Sequence, residues 1–263
     1  MRIAFYINSA NEEAVASVGS IASTARRCGL SEGTPCDADV LVALGGDGTI
    51  LSAVRLHPSV PVLGLNLGSL GYLSSVGRGD FEKAFSLLAA GRFKVAERSM
   101  LQVGKAGGRR AAALNDVVVV REMSGHAAIL DVAVNGKAAT RYMSDGLVVA
   151  TPTGSTAYSL ASGGPVLMPD TSSFVLTAIN PHALDVRPIV VNDSVTISVT
   201  SRRRVNGAAE KIGVWADGRR VFRLDVDESA AISKYRLSAK LVELEGYDPY
   251  EVLSRKLGWA RRR

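Results

Sequence analysis

The sequence predicts a chain of two parts, an α/β domain with a doubly wound sheet followed by a β-rich domain. The first 95 residues alternate buried-strand and amphipathic-helix patterns, which is typical of a doubly wound sheet. From about residue 96 to 234, short apolar or alternating runs are separated by turn residues, which is typical of β structure. A length of 263 residues accommodates one large domain or two small ones.

The elements of the first part follow one another in a regular order. Residues 1–8 predict a buried first strand, and apolar residues at helical spacing follow between Asn11, a plausible N-cap, and Gly29, a plausible C′ residue. The continuous apolar run Val40–Leu44 predicts a strand covered on both faces, as in a parallel sheet. The remaining predicted elements are a short helix at 49–56, a buried strand at 60–65 and a helix at 81–90 that ends at Gly91.

Turn residues mark the second part. Asn135-Gly136 between two apolar runs predicts a type I′ hairpin, and Asn206-Gly207 and Asp217-Gly218 predict further turns. Residues 195–199 alternate with period two, as in a half-buried strand. From about residue 237 the pattern becomes mixed again, with a strand at 241–244 and a helix that Asp248-Pro249 opens.

The net charge of +6 suggests phosphate-bearing ligands, nucleic acid or a membrane surface. The positive charge is concentrated in two clusters, whose eight members exceed the whole net charge: Arg202, Arg203, Arg204, Arg255, Lys256, Arg261, Arg262 and Arg263. Both clusters lie outside the motifs described below. We therefore interpret them as surface or subunit-contact charge and expect no nucleic-acid partner.

Several classes of protein are excluded by simple observations. No apolar run approaches the ~20 residues that span a bilayer, and the N-terminal apolar stretch is too short for a signal peptide, so we expect no membrane partner. The two cysteines, Cys28 and Cys36, have a spacing that matches no common zinc site. The three histidines also lack metal-ligand spacing, so no metal-ligating residue is assigned. We expect reduced thiols and a cytoplasmic location.

The first chemical motif is Gly45-Gly46-Asp47-Gly48-Thr49, between a buried strand and a helix. Glycines allow close approach of the backbone to a ligand, and free N–H groups at a helix start favour phosphate oxygens, so Gly45, Gly46, Gly48 and Thr49 are candidates for a phosphate-donor loop. The motif is neither a P-loop nor G-x-G-x-x-G. Asp47 could act as the base that removes a proton from an attacking hydroxyl; the alternative is a turn aspartate that caps the helix.

Two further motifs carry polar groups beside buried strands. Asn115-Asp116 precedes four consecutive valines, and an amide with a carboxylate can bind adjacent hydroxyls such as those of a ribose; the alternative is an ordinary turn. Residues 151–165 form a loop rich in hydroxyls and small residues, in which Tyr158 offers an aromatic face. A nucleotide suits that chemistry, and the alternative is a plain Ser/Gly surface loop.

These motifs carry a resemblance to bacterial NAD kinases over nearly the whole chain. The Gly-Gly-Asp-Gly element is only moderately specific, because lipid kinases and phosphofructokinases have similar loops, whereas the run Thr-Pro-Thr-Gly-Ser-Thr-Ala-Tyr is far more specific. The matching segments appear in the order 45–49, 64–73, Asn115-Asp116, 144–146, 151–158, Pro181-His182, Asp217-Gly218 and 256–259.

The resemblance implies transfer of a γ-phosphoryl group to the 2′-hydroxyl of the adenosine ribose of NAD, giving NADP. It implies ATP or polyphosphate as donor, a divalent cation, usually Mg²⁺, and a homo-oligomer, commonly a dimer or tetramer. It also implies a Rossmann-like N-terminal domain (1–95, joined by the C-terminal tail 237–263) and a β-sandwich-like, NAD-binding C-terminal domain (96–236).

The resemblance also implies roles for particular residues. Asp47 would be the general base, with Gly48 close to the NAD, and Tyr72 and Asn66 would shape the same pocket. Asn115 and Asp116 would hold NAD by its ribose or nicotinamide end. Asp145 would contact a second feature of NAD such as the nicotinamide amide. The adenine would be lined by Thr156, Ala157, Tyr158 and Ala161, and Asn180 would lie near the adenine pocket.

Three positions depart from the family pattern. Met143 stands where many relatives carry Arg, and we expect Arg141, on the same face of the strand, to replace it in NAD binding. Arg219 stands where many have Gln, and Ser52 where some have a basic residue. The alternatives are a lipid kinase, a non-enzymatic NAD-binding module and a nucleic-acid binder, and the sequence leaves open the donor and the choice between NAD and NADH.

Overall fold

The structure, a computed structural model, describes residues 1–68, 71–74, 76–123, 126–203 and 211–258. The chain divides into two compact units, Met1–Glu97 with Ala239–Arg263, and Arg98–Ser238. The helices are α1 (Glu12–Arg27), α2 (Asp47–Leu56), α3 (Phe81–Ala89), α4 (Tyr158–Ala161) and α5 (Pro249–Leu257), with 3₁₀ turns at Arg78–Asp80 and Thr153–Thr156. The strands are β1 (Arg2–Ile7), β2 (Ser31–Glu32), β3 (Val40–Leu44), β4 (Val62–Leu65), β5 (Phe93–Arg98), β6 (Leu101–Gly104), β7 (Arg110–Ala113), β8 (Asp116–Arg121), β9 (Ala128–Val134), β10 (Lys137–Ser144), β11 (Gly146–Ala150), β12 (Ser173–Ile179), β13 (Ile189–Asn192), β14 (Ile197–Arg202), β15 (Ile212–Ala216), β16 (Arg219–Leu224), β17 (Ser229–Lys234) and β18 (Ala239–Leu244).

The first unit contains one six-stranded sheet in the order β2-β1-β3-β4-β18-β5. Strands β1, β2, β3, β4 and β18 pair in parallel. Alternate residues of a strand face opposite sides of the sheet. On one side, Val40 and Val42 of β3 share a core with α1 and α3. On the other side, Gly64 of the neighbouring strand β4 packs against Ile50 of α2. Helices therefore cover both faces, which confirms the predicted Rossmann-like α/β fold.

Local chemistry accounts for the helix ends in this unit. Asn11 caps α1 by accepting a hydrogen bond from the amide of Ala14 at 3.0 Å, and Gly29 follows the helix with φ of +86°. The prediction that the second helix begins at Thr49 is wrong by two residues: α2 begins at Asp47 with Gly46 as its N-cap. Apolar periodicity located the helix but not its polar first turn.

The second unit is built from two six-stranded sheets. One has the order β10-β9-β14-β17-β6-β7 and the other the order β13-β12-β11-β8-β15-β16. Buried residues of both sheets form a single core, for example Leu130 and Val199 of the first sheet with Val119, Leu147 and Phe174 of the second. Two sheets that share one apolar core form a β-sandwich, as predicted.

The second sheet of the sandwich is apolar on its other face as well. Val118, Val148 and Val175 form a separate buried cluster there, with Leu167 packed against it. This double coverage explains why β8 and β11 are continuous apolar runs rather than alternating ones. The hairpin between β9 and β10 turns at Asn135 with φ of +49°, as its sequence predicts.

The basic clusters are partly neutralised where the structure describes them. Arg202 pairs with Asp131 and Asp227, and Arg255 pairs with Glu251. Arg204, residues 261–263 and the predicted turn Asn206-Gly207 lie outside the described residues. In the part of the chain that the structure describes, no helix combines the length and apolar character needed to cross a bilayer.

Candidate active site

The glycine motif of the first unit lies where β3 ends and α2 begins. Gly45 is buried with φ of +144°, and a Cβ there would lie 2.4 Å from the Thr49 hydroxyl, so a side chain is excluded. Gly46 and Gly48 are exposed, while Thr49 is buried. The loop therefore presents backbone at the carboxyl end of the sheet, beside the N-terminus of a helix, where anions are favoured.

Asp47 is held by a segment from the loop after β4. Its Oδ2 accepts the amide of Tyr72 at 2.8 Å, and its Oδ1 accepts the amides of Leu73 and Ser74, each at 3.2 Å. The Ser74 hydroxyl donates a fourth bond to Oδ1, also at 3.2 Å. Asp47 is thus the first residue of α2 and not its cap, and its carboxylate binds residues 25 to 27 positions later in the sequence.

Buried polar groups fix this segment in turn. The amide of Gly71 and the Asn66 side chain both donate to the Ser74 hydroxyl oxygen, at 3.0 and 2.8 Å. Ser74 is fully buried and Asn66 is 2% exposed. A Cβ on Gly71 would lie 1.8 Å from Oδ1 of Asp47, so glycine is required there. We name residues 71–74 the clamp segment.

Tyr72 lies between Asp47 and the C-terminal helix. The Nζ of Lys256 in α5 lies 5.9 Å from the centre of the Tyr72 ring, within the range of a cation–π contact. Burial raises the pKa of the Tyr72 hydroxyl, and the Asp47 charge raises it further, so the phenol is neutral at pH 7. Of the matching family segments, Ser69, Leu70 and Trp259 lie outside the described residues.

In the second unit, Asn115 and Asp116 lie at the start of β8 against the loop after β11. The carbonyl oxygen of Asn115 accepts the Thr151 amide at 2.9 Å, and the Thr151 hydroxyl donates to the carbonyl of Leu114 at 2.5 Å. A Cβ on Gly154 would lie 2.0 Å from the Asn115 carbonyl oxygen. The glycine of the specific family motif therefore permits these two loops to pack together.

The side chains of this pair differ from those of an ordinary turn. Oδ1 of Asn115 is buried and has no hydrogen-bond partner among the described residues. Asp116 is 6% exposed, and burial together with the charge of Asp217 raises the pKa of its carboxyl group to about 7. An unsatisfied buried acceptor beside a buried acid is typical of a site that awaits a polar ligand.

The hydroxyl-rich loop is internally braced. Ser155 donates to the Pro152 carbonyl at 2.7 Å and accepts the amide of Leu167 at 2.9 Å, while Ser159 shares a buried 2.9 Å bond with Thr177. Tyr158 is 44% exposed. The loop is thus not a plain surface loop: its serines hold the backbone, leaving Thr156 and Ala157 half-buried and Tyr158 and Ala161 exposed.

Asp145 and Asn180 form a second cluster, with Arg121. Asp145 accepts Nε of Arg121 at 2.7 Å and Nδ2 of Asn180 at 3.0 Å, and these two hydrogen bonds hold the pKa of Asp145 below its usual range. Asp145 precedes β11 whereas Thr151 follows it, so the two ends lie roughly 20 Å apart by the strand rise. The structure therefore does not bring Asp145 and Asn180 together with the predicted adenine-lining loop of the same chain.

Arg141 has a partner of its own. It lies opposite Asp131 in the β9–β10 ladder and forms an ion pair with it, in which Nη2 of Arg141 donates to Oδ2 of Asp131 at 2.9 Å. Met143 lies on the same face of β10 and is 41% exposed, as the strand period predicts. Arg219 begins β16, directly after the Asp217-Gly218 turn.

Sequence reasoning missed four residues that build these sites. Ser74 donates to Asp47 and Gly71 donates to Ser74, Arg121 pairs with Asp145, and Asp217 binds the backbone of the Asn115-Asp116 segment. Gly71 and Asp217 lie within family segments, but the pattern of Asp217-Gly218 indicated only a turn. In the described ranges, no group of three or more His, Cys, Asp or Glu is placed to hold a metal ion.

Comparisons with known proteins match these features. The family model described as "ATP-NAD kinase N-terminal domain" matches residues 9–92, and that described as "ATP-NAD kinase C-terminal domain" matches residues 114–244. An NAD kinase from Symbiobacterium thermophilum is 40% identical over 84% of this chain and 79% of its own, and one from Geotalea daltonii is 37% identical over 92% and 85%.

Solved structures agree in fold. Yeast NADH kinase in complex with NADH superposes with a TM-score of 0.85 and 26% identity over 98% of this chain and 88% of its own. An NAD kinase from Archaeoglobus fulgidus in complex with ATP superposes with a TM-score of 0.80 and 26% identity, and the match covers 99% of both chains. The fold and the two family models thus define a two-domain kinase. The chain belongs to the NAD kinase family.

Proposed function

We propose that this protein phosphorylates the 2′-hydroxyl of the adenosine ribose of NAD, with Asp47 as general base and ATP as phosphoryl donor. The observation that carries the proposal is a clamped aspartate at a glycine-rich strand-to-helix loop in a chain of this family. The relatives support the substrates, since one solved structure holds NADH and another holds ATP. The assay described below also tests NADH in place of NAD and polyphosphate in place of ATP.

The hydrogen bonds of Asp47 indicate which oxygen takes the proton. Oδ1 accepts three bonds from the clamp segment, whereas Oδ2 accepts one, from Tyr72. A carboxylate oxygen has two lone-pair positions, so Oδ2 has one left for the ribose hydroxyl. Because the clamp fixes the carboxylate through four donors, Asp47 meets the positional demand on a general base.

Phosphoryl transfer depends mainly on positioning and on neutralisation of charge. Exposed backbone at Gly46 and Gly48 at the start of α2 would hold phosphate oxygens. Mg²⁺ would be held mainly by the phosphates of the donor and by water, since the clamp donors and the ribose hydroxyl occupy the lone-pair positions of Asp47, the carboxylate of this loop. Bound with the donor, the cation would neutralise charge on the transferred group.

The remaining roles concern NAD recognition. Asn115 and Asp116 would bind ribose hydroxyls, and the loop at Thr156, Ala157, Tyr158 and Ala161 would line the adenine. Asp145 and Asn180 would bind a further feature of NAD. Arg141 would take the place of the arginine that many relatives carry at the position of Met143. We also propose a cytoplasmic homo-oligomer, dimer or tetramer.

The test is direct measurement of NADP. Purified protein is incubated with Mg²⁺, with NAD or NADH, and with ATP or polyphosphate, and the phosphorylated product is quantified. We expect NADP from NAD and ATP, and Asp47→Asn should reduce turnover about 10²–10⁴-fold, the usual contribution of a general base. Binding of NAD, measured by calorimetry, should change little.

Asp80→Asn is the matched control. Asp80 is an exposed aspartate of the same unit whose side chain makes no capping hydrogen bond, so its replacement should leave turnover unchanged. Absence of product with every donor would overturn the proposed reaction. Full turnover by Asp47→Asn would remove Asp47 as the base but leave the reaction standing.

A further inference from the structure

Asp217 lies at the turn between β15 and β16 and binds a distant backbone segment. Its Oδ2 accepts the amide of Leu114 at 2.8 Å, and its Oδ1 accepts the amides of Asn115 at 2.8 Å and Asp116 at 3.2 Å. Its own amide donates back to the carbonyl of Asp116 at 3.1 Å. Three consecutive amides, 101 to 103 positions away in sequence, thus converge on one carboxylate.

The segment that Asp217 binds is also held from its other side. The carbonyls of Leu114 and Asn115 accept bonds from Thr151, and Gly154 packs against Asn115. The N–H groups are therefore bound by Asp217 and the carbonyls by the loop after β11. The backbone is fixed on both sides, which directs the buried carboxyl of Asp116 and the buried Oδ1 of Asn115, an atom with no hydrogen-bond partner in the described part of the chain.

Asp217 also influences Asp116 through its charge. The strand residue opposite Asp116 on β11 is Ala150, whereas on the other side β15 pairs Ala216 with Val117, so the residue that follows the strand, Asp217, lies beside Asp116. Burial is the main cause that raises the pKa of Asp116 to about 7, and the Asp217 charge is the second. With Asp217 uncharged, the pKa of Asp116 should fall, since only the effect of burial would remain.

We propose that Asp217 is a positioning residue for NAD binding: it holds the Leu114–Asp116 backbone so that the Asn115 and Asp116 side chains meet the ribose. This inference rests on the proposed role of that pair. Asp217 itself bonds to backbone amides, so it acts through the segment and not by contact with the substrate. Asparagine or glycine would also accept the φ of +45° at this turn, so the backbone conformation alone does not require an aspartate. The proposed role explains why a carboxylate is suited to this position.

The experiment compares Asp217→Asn with Asp227→Asn in the full-length protein. Asp227 is also a turn aspartate with positive φ, +64°, but it pairs with Arg202 on the surface. NADP formation is measured as a function of NAD concentration from pH 5.5 to 8.5. For Asp217→Asn we expect the KM for NAD to rise about tenfold or more, with kcat changed less than threefold, because binding and not chemistry is affected.

The pH profile separates this role from a merely structural one. In the natural protein the KM for NAD should fall as the pH rises through about 7, because Asp116 then becomes an anion that accepts ribose hydroxyls. In Asp217→Asn the midpoint should move down by about one unit, as expected when a nearby like charge is removed. In Asp116→Asn the transition should vanish, and adding Asp217→Asn should raise KM less than it does alone.

The outcomes are distinguishable. A natural protein that makes no NADP contradicts the proposed function, whatever the variants do. An active natural protein with an unchanged KM and pH midpoint in Asp217→Asn overturns the role of Asp217. If the asparagine variant does not fold, as judged by thermal unfolding, Asp217→Gly keeps the left-handed turn without the carboxylate and is subject to the same criteria.

Discussion

Asp47 in the α/β unit and Asp217 in the β-sandwich unit solve the same structural problem. Each carboxylate accepts three consecutive backbone amides of a segment far away in sequence, Tyr72 to Ser74 in one case and Leu114 to Asp116 in the other. In each case an acidic side chain binds the backbone N–H groups of a connecting segment, which in the second case extends into the first residue of β8.

The difference lies in what surrounds the two carboxylates. Asp47 receives a fourth donor, the hydroxyl of Ser74, whereas Asp217 lies beside a second acid, Asp116. A carboxylate surrounded by donors is suited to stay in place and face a reacting hydroxyl. A pair of acids leaves one of them with a raised pKa, so its charge depends on pH near 7. The comparison supports the proposal that the first region serves chemistry and the second recognition.

Breaking the clamp on Asp47 should have the largest effect. Gly71→Ala places a Cβ 1.8 Å from Oδ1 of Asp47, so the carboxylate or the clamp segment must move. A displacement of about 1 Å at a reacting group costs about 100-fold, and we expect kcat for NADP formation to fall by that factor. Steady-state kinetics at saturating NAD and ATP measures it.

Gly79→Ala is the control for the added methyl group. A Cβ at Gly79 meets nothing within 4 Å among the described residues, and no left-handed φ is involved, so turnover should be unchanged. Equal kcat values for the two alanine variants would show that the clamp segment does not position Asp47 for the reaction.

Removing the acid of the second region should raise stability while it weakens binding. The pKa of Asp116 is about 7 in the folded protein but about 3.9 when unfolded, so the folded state binds the proton more tightly and stability falls as pH rises from about 4 to about 7. This cost is at most on the order of 4 kcal/mol above pH 7. Asp116→Asn should recover about 2 kcal/mol, because the amide must still be desolvated.

Urea unfolding at pH 5 and pH 8 measures this effect. The stability gain of Asp116→Asn should be larger at pH 8, where the natural carboxylate is charged, and the KM for NAD should rise in the same variant. A gain that is equal at both pH values, or a loss at pH 8, would contradict a buried acid with a raised pKa.

The smallest expected effect concerns the C-terminal helix. Lys256→Ala removes the cation over the Tyr72 ring, a contact worth about 0.5–1 kcal/mol at an exposed site. We expect the KM for NAD to rise about two- to fivefold with little change in kcat, as Tyr72 loses one of its neighbours. Lys256→Arg should retain the natural value, and an unchanged KM in the alanine variant would show that this contact with Tyr72 does not affect NAD binding.

Much of the fold could be predicted because it depends on local patterns. The run Val40–Leu44 forms β3 with those bounds, and Asn11 caps α1 through its side chain. The turn at Asp217-Gly218 is also where its sequence places it, with φ of +45° and +73°. Each of these features depends on a few neighbouring residues, so pattern and propensity suffice.

The candidate sites were less predictable, because their partners are remote. Nothing near Asp47 in sequence indicates that the amides of residues 72–74 bind it, and nothing near Asp217 indicates Leu114 to Asp116. The separation of Asn180 from Thr156 likewise follows only from the strand between their clusters.

The sequence by itself determined the two-part fold, the glycine loop with its aspartate and the family to which the chain belongs. These depend on hydrophobic period, turn chemistry and motifs that neighbouring residues form. Only the tertiary structure decided what each acid does, since hydrogen bonds and burial from distant segments set the position and the pKa of a carboxyl group. Asp47, Asp116, Asp145 and Asp217 are the same residue type, and their surroundings alone distinguish a clamped carboxylate, a buried acid, an ion-paired anion and a backbone anchor.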